Sequence, residues 1–218
     1  MINKNISFSF NPKIDSKLTL TKMVNKAYLK NKKFFGQDIP NVKITFLYTR
    51  SQMNRVCGYK TPDWLVGYAP QKHIYIFSPS VFDKVSSHPA TDFPYTLTHE
   101  ITHIFSNTLL GFYYPIWLHE GLAGYVAEQY KIRKVKKIDN FSKLHDSKSW
   151  QKYSNYSQAF LFTKYLIDTF GKEKTLNFLK QLHQKVGRHH YHPDFIKFFN
   201  QFFKSAFNQL ASKWKNQN

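Results

Sequence analysis

Glutamate is scarce in this chain. Its 218 residues include only four: Glu100, Glu120, Glu128 and Glu173. Cysteine is scarcer still, and the lone Cys57 excludes an internal disulfide and a cysteine-built metal knuckle. A chain without disulfides suits a reducing compartment. No window approaches the roughly eighteen apolar residues of a membrane span. The first ten residues alternate asparagine and lysine with a few apolar residues and lack the apolar centre of a secretion signal. These absences together set the expectation of a cytoplasmic protein with no transmembrane segment. Arginine is short as well, supplying only four of the 32 basic residues. Bidentate grips on phosphates and base edges favour arginine over lysine.

What is abundant is lysine, phenylalanine and tyrosine. The formal net charge of +19 attracts polyanions in general. The basic residues are spread along the chain, however, and only Lys131 to Lys137 (KIRKVKK) is dense. That run could grip anionic lipid or an acidic substrate segment, and a solvated charged loop is the plainer account. Nucleic acid is therefore not the expected partner. With 21 phenylalanines and 14 tyrosines, much of the core should be aromatic. The length allows one domain with a substantial core.

Periodicity places strands first and helices after. Residues 16 to 33 carry a helical stripe at Leu20, Val24, Ala27 and Tyr28. Lys43 to Tyr48 alternates and reads as a strand, and Leu65 to Ala69 with His73 to Phe77 reads as a hairpin. From Thr91 or Asp92, which can cap a helix, Leu97, Ile101, Ile104, Thr108 and Leu109 recur at helical spacing. Gly111 stops this helix, and another is expected from about Ile116 to Tyr130. Residues 131 to 149 read as a loop or lid. Helices at about 154–170, 172–186 and 193–214 complete the chain. The order predicts an α+β fold: a small mixed or antiparallel sheet, then the helix that starts near residue 91, and a mostly helical C-terminal half. One domain spanning 1–218 is expected, with sub-lobes 1–110 and 111–218 and a cleft between them.

The two central glutamates sit in unusual company. Residues 99 to 103 read His-Glu-Ile-Thr-His, and residues 117 to 121 read Trp-Leu-His-Glu-Gly. On a helix, His99 and His103 lie one turn apart and point the same way, so both imidazoles can meet one zinc ion. Glu100 is angularly offset and can take a proton from a water at that ion. A catalytic zinc usually has three protein ligands. Candidates for the third are Glu120, His119, His88 and Asp92, and Glu120 fits best because a short turn can fold its helix back. His119 is adjacent and suits a supporting or cleft-lining place. Gly121 and Gly124 cost a helix roughly 1 kcal/mol each. Close approach of the two metal-bearing helices would repay that cost. His189-His190-Tyr191-His192 reads as a solvated turn, and Cys57 as a small buried hydrophobe.

These motifs, His99-Glu100-Ile101-Thr102-His103 and Trp117-Leu118-His119-Glu120-Gly121-Leu122-Ala123, resemble those of the gluzincin metallopeptidases, most closely the peptidase MA-like family. Pro62 to Ala69 leading into His73-Ile74-Tyr75-Ile76 also resembles that group, and the likeness spans roughly residues 42 to 185. The resemblance implies a zincin-like fold with Zn2+ on His99, His103 and Glu120. It implies Glu100 as the catalytic base, and a hairpin whose edge strand pairs with an extended peptide or protein substrate. It also implies a tyrosine early in the helix after the metal-binding pair, which Tyr156 matches. Such a phenol can donate to the oxyanion of peptide hydrolysis. Tyr153 is its rival, and His119 and His145 could do the same work. The sequence thus predicts a zinc peptidase. A catalytically silent scaffold of this fold, a basic nucleic-acid-associated protein, and a metal hydrolase acting on another bond are the alternatives.

Overall fold

The computed structural model describes residues 3–111, 113–186 and 192–217. The fold is α+β, with a small mixed sheet and a preponderance of helix. The chain divides into two units, residues 1–105 and 106–218.

The first unit is built on four strands: β1 (Ile6–Ser9), β2 (Val42–Leu47), β3 (Gly67–Tyr68) and β4 (His73–Phe77). Their order is β1-β2-β4-β3. β1, β2 and β4 run parallel, and β3 runs antiparallel to β4 with Gly67 opposite Ile76 and Tyr68 opposite Tyr75. The predicted hairpin is therefore present, and it ends the sheet. Alternation does what it should in β2, where Val42, Ile44 and Phe46 are buried and Lys43 is exposed. β1 was not anticipated. Helix α1 (Lys17–Phe35) buries Leu20, Val24, Ala27 and Tyr28, the predicted stripe, together with Asn31. Asn31 donates to the Thr98 carbonyl of α3 (Phe93–Leu109) at 3.2 Å, and the Tyr28 ring meets Phe105 edge-on at 5.2 Å. Between β2 and the hairpin lies another unanticipated element, α2 (Arg50–Cys57), opened by a capping box in which Thr49 and Gln52 satisfy each other's backbone N–H. The last turn of α3 belongs to the second unit.

That unit is helical: α4 (Ile116–Val126), α5 (Ser147–Tyr153), α6 (Tyr156–Phe170), α7 (Lys172–Val186), α8 (His192–Phe203) and α9 (Phe207–Lys215). Its core is aromatic, as the composition predicts. Trp117 is fully buried among Phe141, Phe162, Phe195 and Phe207, with ring centroids 4.7 to 6.0 Å away. The segment expected to be a loop or lid is irregular over 132–140 and becomes helical after it. It holds a 3-10 turn at Phe141–Leu144 and the helix α5, whose N-cap Asp146 accepts from Ser149 N. Gln158 of α6 brackets the segment by exchanging hydrogen bonds with the backbone of Asp139, both at 2.8 Å. The expected 193–214 helix is two helices. The chain turns at Lys204, where φ is +52°, and the Asn200 side chain accepts from Phe207 N at 2.8 Å. Among the described residues, no helix is long and apolar enough to cross a membrane.

Candidate metal centre

Helix α3 carries two kinds of face. Leu97, Ile101, Ile104 and Phe105 are fully buried and anchor it. Thr98 and Thr102 are buried polar residues, and each hydroxyl donates back to the carbonyl four residues earlier at 2.8 Å. On another stripe, His99, Glu100 and His103 are only 7, 8 and 9% exposed. The two imidazoles face each other: their Nε2 atoms are 3.0 Å apart and their planes stand at 86°. Two nitrogens at zinc-bond length on a tetrahedron would be about 3.3 Å apart. The pair is within a few tenths of an ångström of that spacing.

The third candidate comes from the first turns of α4. One ligand atom each of His99, His103 and Glu120 lie within 4.8 Å of one another, and this is the only group of three or more potential ligands among the described residues. Two nitrogens and a carboxylate oxygen are a donor set that zinc accepts. Bringing two buried imidazoles and a half-buried carboxylate together has a desolvation cost, which a divalent cation offsets. The donor set therefore fits the ion.

The other third-ligand candidates have different partners. His88 lies between the Asp92 carboxylate, 3.4 Å from its Nδ1, and the Trp64 carbonyl, 3.0 Å from its Nε2. His119 donates through Nε2 to Asn107 Oδ1 at 2.8 Å, and the Tyr113 ring lies 5.9 Å from its own.

Glu100 has a neighbour that the sequence did not announce. A Cβ on Gly67 would lie 2.4 Å from Glu100 Oε1, 2.5 Å from Cδ and 2.7 Å from Cγ. The edge strand therefore lies directly on the glutamate side chain, which would have to shift to admit any side chain at position 67. No hydrophobic period marks such a position. Asn107 was missed as well, although it continues the His99–His103 stripe by one further turn and was within reach of sequence reasoning.

One expectation is corrected. Gly121 and Gly124 do make room for a helix, but the helix they admit is α6. A Cβ on Gly121 would lie 2.0 Å from Thr163 Oγ1 and 2.7 Å from the Ala159 carbonyl, and one on Gly124 would lie 2.0 Å from Phe160 Cδ1. The small residues of α4 seat it against α6, its principal packing partner.

Tyr156 opens α6, with its ring edge-on to Trp150 at 4.9 Å and tilted against Phe160 at 6.0 Å. Tyr153 is half-buried under the ammonium groups of Lys143 and Lys152. His145 is buried and pairs with His192, Nδ1 to Nδ1, at 3.2 Å. His189, His190 and Tyr191 lie outside the described residues. Cys57 is half-buried rather than buried, and burial raises its thiol pKa. In the basic run, Lys131 pairs with Glu128 at 2.5 Å and Lys137 with Asp139 at 3.3 Å.

Comparison with curated proteins and with solved structures finds no significant match. A family model described as peptidase of plants and bacteria matches residues 13–214. That span takes in strands β2 to β4, the His99–Glu100–His103 helix and the helix that presents Glu120, so the chain belongs to this peptidase family.

Proposed function

We propose that the chain is a zinc peptidase of gluzincin type that hydrolyses peptide bonds by general-base activation of water. The observation that carries the reading is the convergence of His99, His103 and Glu120 ligand atoms within 4.8 Å, with Glu100 on the same helix as the two histidines. His99, His103 and Glu120 would hold the ion. When bound, zinc supplies Lewis acidity and lowers the pKa of a coordinated water towards about 7.

Glu100 takes the proton of the attacking water and returns it to the departing amine. The backbone of Gly67 lies close against its side chain, and in this reading the strand limits where the carboxylate can swing. β3 ends the sheet order, which suits it to pair with an extended peptide through main-chain hydrogen bonds. In this reading the Tyr156 phenol donates to the developing oxyanion.

The test is a digest of a quenched fluorescent peptide library with and without chelator, run beside Glu100→Gln. Cleavage should stop on chelation and return with zinc. Glu100→Gln should bind zinc as the parent does while turnover falls by about 10²- to 10⁴-fold. Undiminished turnover in Glu100→Gln, or zinc binding indifferent to His99→Ala, would refute the assignment.

A further inference from the structure

We infer that Asn107 and His119 form a positioning clamp that holds Glu120 at the metal site; the inference rests on the zinc reading above. Asn107 sits one helical turn beyond His103, in the α3 row that begins with His99. His119 immediately precedes Glu120 in α4. An amide Oδ1 can only accept, so the bond of 2.8 Å between the two residues fixes the proton on His119 Nε2. The imidazole is 9% exposed and has the Tyr113 ring against it, so water competes poorly for this bond.

The clamp spans two helices at the level of the ligands. One end is on the helix that carries both ligand histidines, and the other is on the residue next to the ligand carboxylate. Glu120 has three rotatable bonds between its backbone and its carboxyl carbon, so its reach depends on where the first turn of α4 stands. Gly121, on the other side of Glu120, is pressed onto Thr163 and Ala159 of α6. The ligand residue is thus flanked by a polar tie on one side and by tight packing on the other. Neither Asn107 nor His119 belongs to the ligand group, and both act through Glu120.

The experiment measures zinc affinity by competition with a chromophoric chelator, together with the visible spectrum of the cobalt-substituted protein. Asn107→Leu keeps the volume and removes the acceptor, and His119→Ala removes the donor. Each should weaken zinc binding by roughly ten- to a hundredfold, the range found for partners of metal ligands. The double variant should be no worse than the weaker single one, because either change already opens the clamp. His119→Gln, whose amide nitrogen can donate from about the same place, should restore most of the affinity and the cobalt spectrum. Parent-like zinc affinity in Asn107→Leu, strictly additive losses, or no rescue by His119→Gln each overturns the clamp. Failure of the underlying reading looks different, since the parent would then bind zinc no better than a His99→Ala/His103→Ala variant.

Discussion

Replacing Gly67 by alanine should disable the enzyme without unfolding it. The added Cβ would lie 2.4 Å from Glu100 Oε1, whereas ordinary contact begins at 3.4 Å. The carboxylate must therefore retreat by about 1 Å, and a displacement of that size can cost about 10²-fold in rate, or about 2.7 kcal/mol of barrier. The fold should tolerate the change. The obstructing atoms all belong to one side chain, and the backbone of Gly67 is not in the left-handed region. Removing a strand glycine also restores roughly 0.5 to 1 kcal/mol of conformational entropy, which offsets part of the crowding. Zinc affinity should be unchanged because Glu100 is not one of the proposed ligands. Three measurements decide the matter: kcat/KM on a cleaved peptide, zinc affinity by chelator competition, and urea denaturation. Gly67→Ala added to Glu100→Gln should cost nothing further, since both act on one group. Full turnover in Gly67→Ala, or a loss matched by loss of zinc or of the folded state, would show that Glu100 is not aimed by this strand.

Other outcomes follow from the same structure. Gly121→Ala should be destabilising by about 1 to 3 kcal/mol even though helix propensity alone favours it by about 1 kcal/mol, because the Ala159 carbonyl cannot rotate away; a rise in the urea midpoint would contradict this. Tyr156→Phe should lower turnover by about tenfold or more while keeping the ring on Trp150, and Tyr153→Phe should not; parent-like rates in Tyr156→Phe would remove the phenol from the chemistry. Burial depresses the His192 pKa below the usual histidine range, beside the ring of His145. The unfolded chain takes up this proton near pH 6.5, before the folded chain does, so the stability contributed by neutral His192 is complete above that pH. It is lost as the pH falls from there towards the folded value. His192→Phe should flatten thermal stability across that window, and an unaltered slope would assign the dependence to another group. Asp146, whose pKa is lowered chiefly by the Ser149 backbone N–H, acts separately, at more acidic pH.

Local pattern made some elements legible and left others hidden. α3 was readable because Leu97, Ile101 and Ile104 mark one face and His99 and His103 mark another. β1 was not, since four residues with only Ile6 fully buried carry little period; its strand character comes from pairing with β2, far along the chain. α2 buries Met53 alone, and so shows almost no stripe. Its one available signal was the Thr49-x-x-Gln52 cap. The break between α8 and α9 carries neither glycine nor proline, and a side chain from the preceding helix, Asn200, fixes it. At the site, spacing sufficed to nominate His99, Glu100, His103 and Glu120. Gly67 and the true partner of Gly121 and Gly124 depend on tertiary approach, which no spacing records. Trp117 illustrates the overlap of the two kinds of information, because the motif residue beside Leu118 is also the hub of the aromatic core.

Arg50 is one of only four arginines, and its guanidinium is spent on neutral oxygens. It donates to the carbonyls of Pro62, Leu65, Asp63 and Val85 and to the Thr61 hydroxyl, at 2.5 to 3.3 Å, and lies over the Phe77 ring at 4.7 Å. The two-residue strand β3 thus emerges from a segment stitched down by a single cation rather than by a long ladder. Because the acceptors are dipoles rather than carboxylates, raised ionic strength has little to screen. A salt-tolerant brace of this kind lets so brief an edge strand keep its register, and lysine, with one ammonium in place of a planar fork, could not span the same set of oxygens.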